Sequence, residues 1–160
     1  MRNHFNIGSF LPYRLNRAAE RLSGHFMRQC DVGGEVSWTE WQVLWSLGEG
    51  LHGTAKAISG HAGLTKTKVS RAVKALEDRR WLGRQRDTVD RRFEILSLTD
   101  SGQAAYTELK RCAADYQHWL EGAVDLPYLK ALDDGLSGIE DAMATGHLRM
   151  PSPADEDGGQ

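Results

Sequence analysis

Leu64-Thr65-Lys66-Thr67-Lys68-Val69-Ser70-Arg71-Ala72-Val73-Lys74-Ala75-Leu76-Glu77 is the stretch that decides the fold. Val69, Ala72, Val73 and Leu76 recur at the spacing of one helical face. Thr65 stands where an N-cap is wanted, so the pattern predicts a capped helix running to about Arg79. Thr67, Ser70, Arg71 and Lys74 occupy the opposite face. A major groove requires side chains of this kind: Arg pairs with guanine edges, Ser and Thr donate or accept, and Lys reaches phosphate. A helix start near Lys66 also offers unpaired N–H groups to a phosphate. Any amphipathic surface helix has a polar outer face, so the surroundings must separate a groove from solvent.

Upstream, Ala55, Ala57, Ile58 and Ala62 mark a short helix over 54–61, joined to the first by the tight Gly63-Leu64 connection. Downstream, 81–86 and 93–98 read as two strands, with the polar segment 87–92 as a hairpin tip. The hairpin carries Arg84, Arg86, Arg91 and Arg92 within nine residues. A protruding cationic hairpin suits a narrow minor groove, where the potential is most negative. Two tightly joined helices followed by such a hairpin form a winged helix-turn-helix, with each basic element shaped for a different groove.

Further out, Ser37-Trp38-Thr39-Glu40 is a capping box opening a helix with Trp38, Trp41, Val43, Leu44, Trp45 and Leu47. A glycine-rich break, 48–53, follows. Leu11, Leu15, Ala18, Ala19, Leu22 and Phe26 predict a helix over 9–30, with Pro12 in its first turn. Thr99-Asp100 caps a long helix to about Gly122, with Ala105, Tyr106, Leu109, Ala113, Tyr116 and Leu120 as its stripe. Pro127 restarts a last helix, with Leu126, Leu129, Leu132, Leu136, Ile139 and Met143 expected inward. The expected fold is mainly α with a small β-hairpin. Residues 1–35 and 100–146 are expected to supply dimerisation helices around a winged helix-turn-helix at 36–99, and 147–160 a disordered acidic tail.

Composition is consistent with this. Hydrophobic residues make up 40% and charged residues 26% of 160, which argues against wholesale disorder. No stretch approaches a membrane span. The N-terminus lacks a secretory pattern, so the cytoplasm is the expected compartment. The net charge of −2 hides an asymmetry: residues 54–95 hold eleven Lys/Arg against five Asp/Glu, a local balance of +6. A basic block inside an acidic chain is an electrostatic footprint for a polyanion at one face. One reading helix contacts few base pairs, so pairing two copies is the expected route to affinity. An isologous interface would also cover the apolar end helices.

The sequence resembles the MarR family of bacterial transcription regulators. The resemblance is carried by Trp41-Gln42-Val43-Leu44, by 64–73, by Leu76-Glu77 and Trp81-Leu82, by Asp87 with Asp90-Arg91-Arg92, and by Leu98-Thr99-x-x-Gly102; it spans about 10–145. It implies a homodimer built from the N- and C-terminal helices, a pseudo-palindromic double-stranded DNA operator, frequent repression, and release by small aromatic ligands or oxidants. It also implies that 65–74, including Lys68, enter the major groove. Arg92 would enter the minor groove, braced by Asp90. One position departs from the family pattern: Arg80 stands where the family usually has Gly, at a place that often needs a left-handed backbone.

Other chemistry is weaker. Gly48-Glu49-Gly50-Leu51-His52-Gly53 matches a dinucleotide-binding pattern but follows a tryptophan-rich helix rather than a strand. Gly63-Leu64-Thr65-Lys66-Thr67 lacks the upstream glycines of a P-loop. The histidines, at 4, 25, 52, 61, 118 and 147, show no metal-ligand spacing. Neither a metal nor a cofactor is expected, nor is an enzyme, since no nucleophile–base or carboxylate pair stands out. Cys30 and Cys112 are too few for a disulfide framework. They read as inert thiols rather than a redox sensor. Trp38, Trp41 and Trp45 read as core, with an aromatic ligand wall as the rival reading; His25 or His118 are candidates to line a ligand pocket near the dimer helices. A helical protein–protein adaptor that keeps the fold without an operator is the alternative function.

Overall fold

The computed structural model describes residues 6–30, 32, 34, 36–51, 53–86 and 94–147. Two compact units make up the chain, residues 1–116 and 117–160. The first opens with a 3-10 turn, Ile7–Ser9, followed by α1 (Leu11–Gln29), with Pro12 in its first turn. The helices α2 (Trp38–Gly48), α3 (Ala55–Ala62) and α4 (Lys66–Asp78) come next. Strands β1 (Leu82–Arg86) and β2 (Glu94–Leu98) form the hairpin, and α5 (Asp100–Ala123) runs on into the second unit.

The caps anticipated at Ser37 and Thr65 are formed, and Thr54 adds one that was not anticipated. Ser37 Oγ accepts from Glu40 N, and Glu40 Oε2 accepts from Ser37 N at 3.2 Å, which completes the capping box. Thr54 and Thr65 cap α3 and α4 through Ala57 N and Lys68 N, at 3.1 and 3.4 Å. Gly63 takes φ 62° between them, and this left-handed turn lets α4 follow α3 directly.

Val43 and Leu44 of α2, Ile58 of α3, and Val69, Ala72, Val73 and Leu76 of α4 are buried together with Leu82, Leu96, Ala105, Tyr106 and Leu109. Burying each larger aliphatic side chain contributes about 1.5–3 kcal/mol. The core therefore locks α4 by one face and leaves the other to solvent. The hairpin is antiparallel with Leu82 opposite Leu98 and Arg86 opposite Glu94. Leu96 N donates to Gly53 O at 2.7 Å, which ties the α2–α3 connection to β2.

Two glycines of the 48–53 break, Gly48 and Gly53, have packing roles. A Cβ on Gly48 would meet the Tyr106 ring at 2.4 Å, and one on Gly53 would meet Leu96 O at 1.9 Å. Gly50 has φ 83°. Gly48 and Gly53 are thus held in close packing.

In the second unit α6 (Leu126–Ala144) begins with Pro127 in its first turn and buries none of its side chains. The expected inward stripe is corrected here. Leu126, Leu132, Leu136 and Met143 are exposed, while Leu129 and Ile139 are half-buried. One helix and the end of another cannot enclose such a stripe. In the first unit α1 likewise buries only Phe26 of its expected apolar face, leaving Leu11 and Leu22 exposed and Leu15 half-buried.

Candidate nucleic-acid interface

The polar face of α4 is open from end to end. Lys66, Thr67, Lys68, Ser70, Arg71 and Lys74 are all exposed, as is the capping Thr65. The structure thus brings seven of the expected residues together on one surface. Lys74 Nζ lies 3.2 Å from Asp78 Oδ1, an exposed pair that holds the ammonium weakly.

The hairpin differs from expectation at one position. Arg84 turns back to α4: its Nε and Nη2 donate to the two carboxylate oxygens of Glu77, the latter at 2.9 Å, and its Nη1 donates to Glu94 Oε2 at 2.8 Å. These bonds, Glu77's first, raise its pKa above the ordinary guanidinium range. Arg84 is therefore engaged inside the protein rather than presented as an outward cation. Arg86, nearer the tip, is exposed. Asp90, Arg91 and Arg92 lie outside the described residues.

Between α4 and β1, Arg80 adopts φ 62°, the left-handed conformation that its replacement of a glycine anticipates. Its carbonyl accepts from Thr99 Oγ1 at 2.7 Å and Ser101 Oγ at 2.9 Å. Thr99 Oγ1 also accepts from Gly102 N at 3.1 Å. A Cβ on Gly102 would lie 2.0 Å from Trp81 O. The Leu-Thr-x-x-Gly motif thus clamps the start of α5 onto the root of the hairpin. Arg79 lies over the Trp81 ring, 5.4 Å from its centroid.

The tryptophans of α2 stack on one another: Trp38–Trp41 at 4.6 Å and Trp41–Trp45 at 5.0 Å between centroids. Phe26 meets Trp38, Trp41 and Tyr116 edge-on. Trp41 and Trp45 are partly buried against the core, as expected, whereas Trp38 is 39% exposed and lies outside it. Trp41 Nε1 is buried without a hydrogen-bond acceptor among the described residues. His25 Nδ1 lies 3.1 Å from Tyr116 Oη in the same cluster.

Sequence reasoning missed three associations, because each joins residues from different elements. Glu77 and Glu94 converge on Arg84. Glu49 accepts from Tyr106 Oη at 2.5 Å and Lys110 Nζ at 2.9 Å, which holds its carboxyl below the usual range. Cys30 lies beside Cys112, and burial followed by that neighbouring thiol pushes Cys30 up to about 12. A thiol so rarely ionised is a poor nucleophile. Among the described residues no group of three His, Cys, Asp or Glu is placed to hold a metal ion. No described helix is long and apolar enough to cross a membrane.

A family model described as "MarR family" matches residues 36–93, the span from α2 to the residue before β2. Residues 36–93 thus match the MarR family. The chain's relatives include an uncharacterized HTH-type transcriptional regulator, YwaE, of Bacillus subtilis (strain 168), 28% identical over 84% of this chain and 72% of the relative. The repressor CouR, solved on a 23-mer DNA duplex, is 26% identical with a TM-score of 0.73, over 86% of this chain and 99% of that one. BpsR of Bordetella bronchiseptica, whose DNA binding is regulated by 6-hydroxynicotinic acid, shares the fold at a TM-score of 0.75 and 20% identity, over 86% and 98% of the two chains. The chain thus has the architecture of DNA-binding transcription regulators, and the adaptor alternative is not favoured.

Proposed function

We propose that the chain binds a pseudo-palindromic DNA operator as a homodimer, acts as a cytoplasmic repressor, and releases the operator when a small aromatic effector binds. One observation carries this reading: the α4 face from Thr65 to Lys74 is uniformly polar or cationic and exposed, while its opposite face is locked in the core. In this reading Arg71, Ser70 and Thr67 read base edges, and Lys66, Lys68 and Lys74 meet phosphates. Arg86, Arg91 and Arg92 form the wing contact, with Asp90 as the brace of Arg92.

Residues 36–99 act as the DNA-binding domain, and the helices of 1–35 and 100–146 hold the two copies together. Support comes from the exposed apolar side chains of each region, Leu11 and Tyr13 in α1 and Leu126, Tyr128 and Met143 in α6. The aromatic cluster around Trp41 supports an effector site, since its buried indole N–H lacks an acceptor that an aromatic carboxylate would supply. A mobility-shift assay with DNA from upstream of the chain's own gene tests the reading. A discrete, salt-sensitive complex is expected, and its absence across protein concentrations up to tens of micromolar overturns it. Quenching of tryptophan fluorescence by salicylate-like compounds tests the effector.

A further inference from the structure

Arg84 lies on the same face of the hairpin as Leu82, Leu96 and Glu94, the face turned towards the core and α4. Its guanidinium takes both oxygens of Glu77 with one edge and an oxygen of Glu94 with the remaining nitrogen. Glu77 belongs to the last turns of α4 and Glu94 opens β2. One planar group therefore ties the helix that reads the major groove to both strands of the wing.

We propose that Arg84 is a positioning residue that sets the angle between α4 and the wing, with Glu77 and Glu94 as its partners. The inference rests on the DNA-binding reading above. A two-pronged guanidinium–carboxylate contact fixes direction as well as distance. Its half-exposed members, with Arg84 at 41% and Glu94 at 55% side-chain exposure, add little to stability. Two carboxylates on one guanidinium also leave the cluster net negative, which by charge alone disfavours DNA.

That last point gives the test its sign. The probe is the duplex that the wild-type chain enriches from a randomised DNA pool. If Arg84 positions the wing, Glu77→Gln weakens binding about tenfold even though it removes a negative charge. Arg84→Lys, which keeps the charge but loses the fork, weakens binding as much as Arg84→Ala. Glu77→Gln with Arg84→Ala together loses no more than either alone. The salt dependence of binding keeps its slope in all of them, whereas loss of a phosphate contact reduces it by about 0.9 per contact. Circular dichroism on each variant confirms folding, and if Arg84→Ala fails to fold, Glu77→Gln alone decides. Tighter binding by Glu77→Gln, or wild-type binding by Arg84→Lys, overturns the inference and makes Arg84 an ordinary phosphate contact. A pool from which the wild-type chain enriches nothing overturns the DNA-binding reading, and this inference with it.

Discussion

Arg80 holds a left-handed backbone at φ 62°, which costs a residue with a Cβ about 1–2 kcal/mol. The conformation is kept because its carbonyl is fixed by Thr99 and Ser101 at the start of α5. Arg80→Gly is expected to relieve that strain. Part of the gain is lost to the greater freedom of glycine in the unfolded chain, which leaves about 0.5–1 kcal/mol of added stability. A urea titration reads this as a higher midpoint with an unchanged slope. Arg71 gives a second prediction at this scale. It is exposed, so Arg71→Ala leaves stability nearly untouched. Loss of a base contact costs about 1–3 kcal/mol of discrimination between cognate and altered duplexes, measured by competition. The left-handed backbone at position 80 was anticipated because the family resemblance places a glycine there, and the outward face of α4 was legible because helical periodicity is local. Arg84 was misread because density of arginine was weighed without strand alternation: Leu82 faces the core, so the residue two further along points to the same side.

At the scale of elements, the caps of α2 and α4 and the α3–α4 turn were visible in sequence because Ser37, Thr65 and Gly63 satisfy backbone groups within a few residues of themselves, whereas the Thr54 cap of α3 was not anticipated. The junctions between elements were less so. Gly102 lets α5 start against the Trp81 carbonyl, and Gly102→Ala is expected to force the wing root apart at a cost of about 1–3 kcal/mol. Thermal unfolding measures that cost, and operator affinity falls with it. Glu49 joins the end of α2 to α5 through Tyr106 and Lys110. Its carboxyl titrates lower in the folded state than in the unfolded state, so its contribution is complete above the ordinary carboxylate value and disappears as pH falls through the depressed one. Tyr106 and Lys110 shift the other way, the first by burial and the second by its bond to Glu49, so their contributions are complete below their ordinary values and are lost as alkaline pH passes through the raised ones. Glu49→Gln should flatten the acid limb of the stability–pH curve and leave the neutral plateau lower. A variant whose acid limb matches wild type would show that the cluster carries no such linkage.

The whole molecule carries its charge unevenly, with a basic block across 54–95 in a chain of net charge −2. This was the most legible feature of the function, since charge needs no fold to be counted, and α4 presents much of the block on one surface. The stripe of α6 was the least legible. Periodicity located it, but a monomer sequence does not say whether the cover comes from the same chain or from another copy. Leu132→Glu and Leu136→Glu are expected to halve the mass seen by analytical ultracentrifugation while α2–α4 stay folded. An unchanged mass would exclude α6 from the interface. The central claim is that two copies hold DNA through the α4 face and the wing, chiefly by phosphate contacts. The slope of log affinity against log salt concentration tests it most directly. Three or four phosphate contacts from each copy predict a slope of about −5 to −7, and a slope near zero would contradict the account.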